Sequence, residues 1–276
     1  LLALAAQKGW KLYQLDIKSA FLNGYLQEEI YVEQPEGFHV KGQEEKVYRL
    51  RKALYGLKQA PRAWYSRVDN YLQNLEFVKS PSEATLYVKK SNANLIIVSV
   101  YVDDLLVTGS NEKLVDEFKA EMFKAFEMTD LGLLTYFLGM EVKQGHDGVF
   151  ICQKKFTKEI LKKFHMEDYK GISTPMNQKE KFSKEDGAEK VNEGLYRSLI
   201  GCLMYLTATR PDIMFAVSLM SRFMNCASEV HFAATKRILR YVKGTTDYGI
   251  KYSCCHDFQL QGFSDSDWTG ITKDMR

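Results

Sequence analysis

Two adjacent aspartates, Asp103 and Asp104, stand between two apolar, β-branched stretches of the sequence. Residues 95–102 and 105–108 read as strands, so the acids lie at or beside the turn of a β-hairpin. Two like charges about 4 Å apart repel by about 1 kcal/mol in water and about 4 kcal/mol at an effective dielectric constant near 20. A cation would relieve that repulsion, because Mg²⁺ is usually held by one or two carboxylates plus substrate phosphates. An ordinary polar turn is the alternative, since aspartate is common in turns.

A third carboxylate, Asp16, lies near the end of a predicted strand over residues 11–17. Alternation places Gln14 and Asp16 on one face of that strand and Leu15 and Ile17 on the other. A carboxylate at a strand end can meet a ligand without being buried unpaired. Asp16 is therefore a candidate partner for the hairpin acids, although many strands end in aspartate.

The composition is that of a globular protein. Hydrophobic residues make up 45% of the 276 residues and charged residues 26%, and this length suggests about two domains. The net charge of +3 names no partner. The five cysteines are scattered except for the neighbours Cys254 and Cys255, and they suit a reducing environment better than a disulfide framework. Since no apolar run approaches about 18 residues, we expect no membrane span. The chain starts at Leu1 and stops at Arg276 in a turn-rich stretch, which favours a fragment of a longer protein.

Two segments carry clustered basic residues. Residues 47–58 interleave basic and aromatic side chains, a pattern that suits a nucleic-acid backbone, with a solvated strand face as the alternative. The second segment is an amphipathic helix predicted over residues 154–166, whose basic side chains are Lys154, Lys155, Lys158, Lys162 and Lys163. A basic helix face can follow phosphates, but a solvated lysine face is the more frequent explanation.

The remaining elements follow from periodicity and breakers. Pro61 starts a predicted helix in which Trp64 belongs to the buried stripe. A strand is predicted over residues 135–142, and three helical runs follow residue 195. The order of elements up to residue 142 predicts an α+β sheet with helices on one face and the other face free.

Seven segments have motif-like patterns in a fixed order, namely residues 15–24, 53–65, 101–104, 131–139, 209–213, 236–245 and 263–268. The first contains Leu-Asp-Ile-Lys-Ser-Ala-Phe-Leu-Asn-Gly, the second Ala-Leu-Tyr-Gly-Leu-Lys-Gln-Ala-Pro-Arg-Ala-Trp-Tyr, and the third Tyr-Val-Asp-Asp. Together they closely resemble the copia-type retrotransposon reverse transcriptases over the whole chain. Several long motifs in order make the resemblance specific, whereas a four-residue match alone would not.

The resemblance implies a reverse-transcriptase palm with an antiparallel sheet and partial fingers over residues 1–143. It implies a mostly helical thumb and connection region over residues 144–250, and the start of a ribonuclease H-like domain over residues 251–276. The family's fingers begin before Leu1, and Asp265 is the first ribonuclease H acid by position. We therefore expect a fragment without ribonuclease H activity of its own.

The family's chemistry is RNA-directed DNA synthesis with two Mg²⁺ ions, for which Mn²⁺ substitutes. By similarity, Asp16 and Asp103 bridge both ions, and the Ile17 carbonyl adds a ligand. Asp104 is the weaker metal ligand of the three acids, because side chains of adjacent strand residues point to opposite faces.

The resemblance also assigns the nucleotide and template side. Phe21 matches the bulky gate against a ribose 2′-hydroxyl, and the segment that lines nucleotide and template contributes Tyr55, Gly56, Lys58, Gln59 and Tyr101. The five lysines of residues 154–163 would lie in the thumb along the duplex backbone.

The expected partners are an RNA or DNA template with its primer, deoxynucleoside triphosphates, and the fingers, integrase and ribonuclease H segments of a parent polyprotein. The family's lifestyle implies a cytoplasmic virus-like particle with a nuclear stage. The alternative is a catalytically inactive remnant without the N-terminal fingers, at most a module that binds primer and template.

Overall fold

The computed structural model describes residues 1–91, 94–177, 180–254 and 262–264. Its helices are α1 Leu2–Lys8, α2 Ala60–Asn74, α3 Glu112–Ala125, α4 Lys154–Lys163, α5 Glu193–Leu206, α6 Met214–Ser221 and α7 Glu229–Gly244, with 3₁₀ turns at Ala20–Asn23 and Pro211–Ile213. Its strands are β1 Leu12–Ile17, β2 Tyr31–Val32, β3 Tyr48–Arg49, β4 Val78–Lys79, β5 Leu86–Ser91, β6 Asn94–Tyr101, β7 Asp104–Gly109, β8 Met128–Leu133, β9 Tyr136–Phe137, β10 Met140–Gly145, β11 Gly148–Cys152 and β12 Ile250–Ser253. The mixture of helices and antiparallel sheets confirms the predicted fold class at this coarse level.

The main sheet has six antiparallel strands in the order β4-β5-β6-β7-β1-β8. Strand β1 lies between β7 and β8, so the strand that carries Asp16 is paired on both sides. Leu15 and Ile17 face a core that includes Trp64 of α2 and Phe118 of α3. The predicted alternation in β1 is confirmed, and α2 and α3 lie on one face of the sheet as predicted, whereas α1 lies on the other.

The opposite face is partly covered, which corrects the prediction that it is free. A second antiparallel sheet, in the order β12-β11-β10-β9, packs there with α1. Its core joins Leu12 of β1 and Leu106 of β7 to Val142 of β10 and Ile151 of β11.

One side chain links the two sheets. The Gln144 amide nitrogen donates to the carbonyls of Leu12, at 3.0 Å, and Leu134, at 2.9 Å. Its side-chain oxygen accepts the Leu12 N–H at 2.9 Å. Gln144 therefore forms hydrogen bonds with both the N–H and the C=O of Leu12, as a neighbouring strand would.

The single strand predicted over residues 135–142 is wrong. The structure divides it into β9 and β10, which form a hairpin in which Phe137 pairs with Met140. The two residues between them, Leu138 and Gly139, both have positive φ, at 47° and 80°. These conformations end the first strand and reverse the chain.

The helical region, α4 to α7, has its own apolar core, which includes Leu161, Leu199, Val217 and Leu239. Arg210 is buried beneath it, where its guanidinium pairs with Asp212 at 2.8 Å and donates to the Thr245 carbonyl at 2.9 Å. A buried charge of this kind is stable only when paired and hydrogen-bonded. The four helical runs predicted in this part of the chain are present as α4 to α7.

Strand β12 pairs with β11 and thus belongs to the second sheet. The division into segments 1–143, 144–250 and 251–276 stays a prediction, although its first boundary falls inside β10. Within the described ranges, no helix has the length and apolar character needed to cross a membrane.

Candidate active site

The hairpin that bears the two adjacent aspartates has a two-residue turn. Tyr101 at the end of β6 pairs with Asp104 at the start of β7, so Val102 and Asp103 form the turn. Val102 has φ 55°. A positive φ is rare for a β-branched residue, and such strain costs about 1–3 kcal/mol. The turn exposes the Asp103 side chain at the tip of the hairpin.

The register places Asp104 directly opposite Asp16 in the β1–β7 pair. Directly opposed residues of two antiparallel strands point to the same face of the sheet. Asp103 belongs to the turn and the strand alternation begins only at Asp104, so Asp104 shares a face with Asp16. The weaker role of Asp104 as a metal ligand stays a prediction.

Gln14 holds the Asp104 side chain. Its amide nitrogen donates to Asp104 Oδ1 at 2.8 Å, from two residues before Asp16 on the same face of β1. This bond fixes one carboxylate oxygen of Asp104 and leaves the second oxygen available to a ligand.

The three acids form one electrostatic group. The pKa of Asp16 is raised above its ordinary value of 3.8, first by partial burial and then by the charges of Asp103 and Asp104. Lys18 opposes this increase in pKa, but its ammonium lies 2.9 Å from a Glu127 carboxylate oxygen. The site thus carries negative charge that its neighbours compensate only in part.

Among the described residues, no group of three or more His, Cys, Asp and Glu side chains is arranged to enclose a metal ion. The acids fit Mg²⁺ in another way, because Mg²⁺ commonly takes one or two protein carboxylates and completes its shell with water and substrate phosphates. The charges that raise the Asp16 pKa are those that a bound cation would neutralise.

Two hydrogen bonds hold the carbonyl groups of the turn. The Ile17 N–H donates to the Asp103 carbonyl at 2.8 Å, which ties the turn to the residue after Asp16. The Trp64 indole Nε1 donates to the Val102 carbonyl at 2.5 Å. The role of the Ile17 carbonyl as a metal ligand stays a prediction.

Sequence reasoning missed Gln14 and Trp64 as site residues. The helical pattern places Trp64 in the core, and the residue is indeed buried at 2% exposure. The available signal was the indole N–H, since a buried tryptophan nitrogen needs an acceptor. Gln14 gave a weaker signal, a polar residue on the same strand face as a predicted catalytic acid.

The residues expected on the nucleotide side come together in part. Phe21, in the 3₁₀ turn after β1, has its ring centroid 6.0 Å from that of Tyr55. The Tyr55 side chain is 85% exposed, so most of its surface is open to a ligand. Gly56 follows with φ 92°, and Lys58 is exposed beside the start of α2. Gln59 precedes α2 without capping it through its side chain.

Tyr101 faces the second sheet rather than Phe21. Its ring meets Phe137 of β9 edge to face, with centroids 6.0 Å apart. The Leu138 carbonyl in the next turn accepts a hydrogen bond from the Tyr205 hydroxyl of α5. The β6–β7 hairpin, the β9–β10 hairpin and α5 therefore form a continuous series of contacts.

The five lysines of α4 have different surroundings. Lys154 pairs with Asp247 at 2.5 Å, and Lys163 donates to Ser198 Oγ at 2.9 Å. Lys155, Lys158 and Lys162 are exposed. Asp265, the expected ribonuclease H acid, lies outside the described residues.

Comparison with known proteins identifies the family of the chain. The model of the reverse transcriptase (RNA-dependent DNA polymerase) family matches residues 1–178. The chain is 40% identical over 273 residues to the retrovirus-related Pol polyprotein from transposon RE1 of Arabidopsis thaliana, which is 99% of this chain and 19% of that polyprotein. It is 40% identical over 280 residues to the Pol polyprotein from transposon TNT 1-94 of Nicotiana tabacum, covering 98% of this chain and 21% of the other.

A shorter relative is a putative transposon Ty5-1 protein of Saccharomyces cerevisiae. It is 32% identical over 254 residues, which cover 91% of this chain and 82% of the yeast protein. Members of the matched family generally use divalent metal ions, in keeping with the three clustered carboxylates. The chain belongs to the reverse transcriptase (RNA-dependent DNA polymerase) family, among the copia-type transposon Pol proteins.

Proposed function

We propose that this chain forms the palm of an RNA-directed DNA polymerase that adds deoxynucleotides to a primer 3′ end. The observation that carries the proposal is the alignment of three carboxylates. Asp16 is opposite Asp104, and the turn that bears Asp103 is bonded to Ile17. Family membership supports the reaction class, a nucleotidyl transfer.

Asp16 and Asp103 would hold two Mg²⁺ ions, and the free oxygen of Asp104 and the Ile17 carbonyl are further ligands in this proposal. When bound, the ions would neutralise charge on the phosphates and stabilise the attacking and leaving oxygens of an in-line displacement. Gln14 contributes by fixing Asp104, and the backbone bond from Ile17 keeps Asp103 beside the end of β1.

The contact between Phe21 and Tyr55 supports a deoxynucleotide site beside these acids. Phe21 would exclude a ribose 2′-hydroxyl by its bulk, and the exposed Tyr55 ring offers a surface for stacking. Gly56, Lys58 and Gln59 would follow the template strand, while the exposed lysines of α4 would contact the phosphates of the duplex.

The wider setting rests on family resemblance. Residues 144–250 would act as thumb and connection, and residues 251–276 would open a ribonuclease H domain. The remaining Pol polyprotein segments would be partners, in a cytoplasmic virus-like particle with a nuclear stage.

Primer extension on an RNA template tests the function directly. With Mg²⁺, the chain should extend a DNA primer, and Asp103→Asn should reduce the rate at least about a hundredfold, since even residues that only support a metal ligand contribute about 10- to 100-fold. Asp116→Asn removes an exposed carboxylate of α3 and serves as the control. Equal extension by Asp103→Asn would contradict the assignment. Binding of primer and template without any extension by the unaltered chain would favour the inactive-remnant alternative.

A further inference from the structure

The Val102 turn adopts a conformation that its own sequence disfavours. Val102 has φ 55°, and the residue is 45% exposed. Burial of the valine side chain therefore offsets little of the backbone strain. A β-branched residue rarely adopts positive φ unless the surroundings hold it there. Contacts from outside the turn must therefore stabilise it.

Those contacts are the hydrogen bonds to the two carbonyls of the turn. Ile17 supplies one from its backbone, at 2.8 Å, and Trp64 supplies the other from its indole nitrogen, at 2.5 Å. Of these two bonds, only the one from Trp64 depends on the identity of a side chain.

Trp64 is itself well fixed as a donor. It is buried in α2, and its ring stands edge to face against Phe126, with centroids 5.5 Å apart. Helix α2 starts with Pro61 in its first turn, which restricts the backbone just before Trp64. The indole N–H thus has a nearly constant position from which to hold the turn.

We propose that Trp64 is a positioning residue of the polymerase site, whose indole N–H holds the Val102 turn so that Asp103 stays beside Asp16. This inference rests on the proposed function, since Asp103 must act at the metal site for its position to matter. Trp64 touches neither substrate nor metal in this role and acts through the turn alone.

The decisive variant is Trp64→Phe, which keeps an aromatic ring and removes the N–H. We expect kcat for primer extension to fall about three- to tenfold, the factor that one hydrogen bond contributes. The affinity for Mn²⁺, measured from the electron paramagnetic resonance signal of the free ion, should fall by a similar factor. The KM for primer–template should not change.

The matched control is Tyr71→Phe. Tyr71 lies on the same helix, contacts the same Phe126, and donates its hydroxyl to the Glu121 carbonyl at 2.8 Å. The Tyr71→Phe variant therefore loses a comparable hydrogen bond that lies away from the hairpin. If Trp64→Phe and Tyr71→Phe have the same Mn²⁺ affinity and kcat, Trp64 is only a core residue and the proposal is overturned.

Rescue gives a second readout. Glycine adopts positive φ without strain, so Val102→Gly added to Trp64→Phe should recover at least about half of the lost Mn²⁺ affinity. No recovery would overturn the link between Trp64 and the strain at Val102. Should Trp64→Phe not fold, benzothienylalanine at position 64, which replaces the N–H by sulfur, makes the same comparison.

The two proposals fail in different ways. If the unaltered chain shows no Mn²⁺ binding that depends on Asp103 and no primer extension, the proposed function is wrong and the role of Trp64 falls with it. If the unaltered chain shows both, and Trp64→Phe behaves as Tyr71→Phe does, the function stands and only the positioning role is overturned.

Discussion

Asp16 holds its proton more tightly in the folded chain than an isolated aspartate does, because burial and the charges of Asp103 and Asp104 oppose its ionisation. An acid with a raised pKa in the folded state weakens folding when it is ionised. Its unfavourable contribution is present at neutral pH and disappears as the pH falls below its unfolded value of 3.8. The same charges that make the site receptive to a cation therefore reduce the stability of the fold.

Asp16→Asn should accordingly stabilise the chain at neutral pH while it removes activity. We expect a gain on the order of 1 kcal/mol in the free energy of unfolding, the repulsion between two charges about 4 Å apart in water. Denaturant unfolding at neutral pH and below pH 3.8 measures this difference, which should disappear at the lower pH.

Asp116→Asn is the control for Asp16→Asn and should leave stability nearly unchanged, because Asp116 is exposed. Added Mg²⁺ should stabilise the unaltered chain more than it stabilises the Asp16→Asn variant, since a ligand that binds the folded state raises its stability. A loss of stability in Asp16→Asn at neutral pH would contradict the prediction.

Residue type and spacing are enough to select Asp16, Asp103 and Asp104 as candidate metal ligands, but they do not predict how these acids are arranged relative to one another. Residues 101–104 indicate a hairpin, yet its turn could include either or both aspartates. Asp104 faces Asp16 only because the turn consists of Val102 and Asp103. That register depends on hydrogen bonds from Ile17 and Trp64, which are distant in sequence.

At the scale of elements, the two hairpins beside the site share one construction. Each has a two-residue turn whose first residue, Val102 or Leu138, has positive φ without being glycine. The carbonyl of that residue accepts a hydrogen bond from an aromatic side chain of a helix, Trp64 or Tyr205. The aromatic pair of Tyr101 and Phe137 joins the hairpins.

This construction explains why the sequence pattern does not predict the β9–β10 hairpin. Residues 135–142 read as one continuous strand, and Leu138 in a left-handed conformation is not a usual turn signal. The contact with Tyr205 helps to impose the turn, and Tyr205 lies in a helix far along the chain. A tertiary contact of this kind leaves no local pattern.

Gly139→Ala should destabilise the chain by more than the backbone strain alone. Gly139 has φ 80°, and an added Cβ would collide with the Tyr205 hydroxyl. The strain costs about 1–2 kcal/mol and the overlap a further 1–3 kcal/mol or so. Gly132→Ala is the matched control, since Gly132 has φ 75° with nothing within 4 Å of the added carbon.

Thermal unfolding of the two alanine variants separates strain from overlap. Adding Tyr205→Phe to Gly139→Ala should recover part of the loss, because it removes the overlapping oxygen. Equal unfolding temperatures for Gly139→Ala and Gly132→Ala would show that the hairpin moves freely relative to α5.

At the scale of the whole molecule, the side chain of Gln144 joins the two sheets by hydrogen bonds. Its amide satisfies both polar groups of Leu12 and the carbonyl of Leu134. Sequence reasoning placed β1 correctly but not this junction, because a glutamine on a strand carries no sign of a partner more than a hundred residues earlier. The prediction of a free face on the main sheet is wrong for the same reason, because the strands that cover this face carry no local sign of that contact.

Gln144→Glu should destabilise the chain by about 1–3 kcal/mol, because the buried Leu134 carbonyl loses its side-chain donor, whereas the Leu12 carbonyl keeps the Leu134 N–H at 2.9 Å. An ionised carboxylate accepts the Leu12 N–H but cannot donate to the two carbonyls. Chemical denaturation measures the change, and Gln27→Glu at an exposed position controls for the added charge. Equal stability of the two variants would mean that the sheets are held together without this amide.

The pairing of β12 with β11 has a consequence for the order in which the chain folds during synthesis. All of α4 to α7 is made between these two strands. Until Ile250–Ser253 leaves the ribosome, the edge of β11 that later pairs with it has no strand beside it. Such an edge is open to pairing with other chains. Release of the nascent chain before this strand should therefore favour self-association, and ribosome-bound intermediates of this length are the stage at which a chaperone would be most needed.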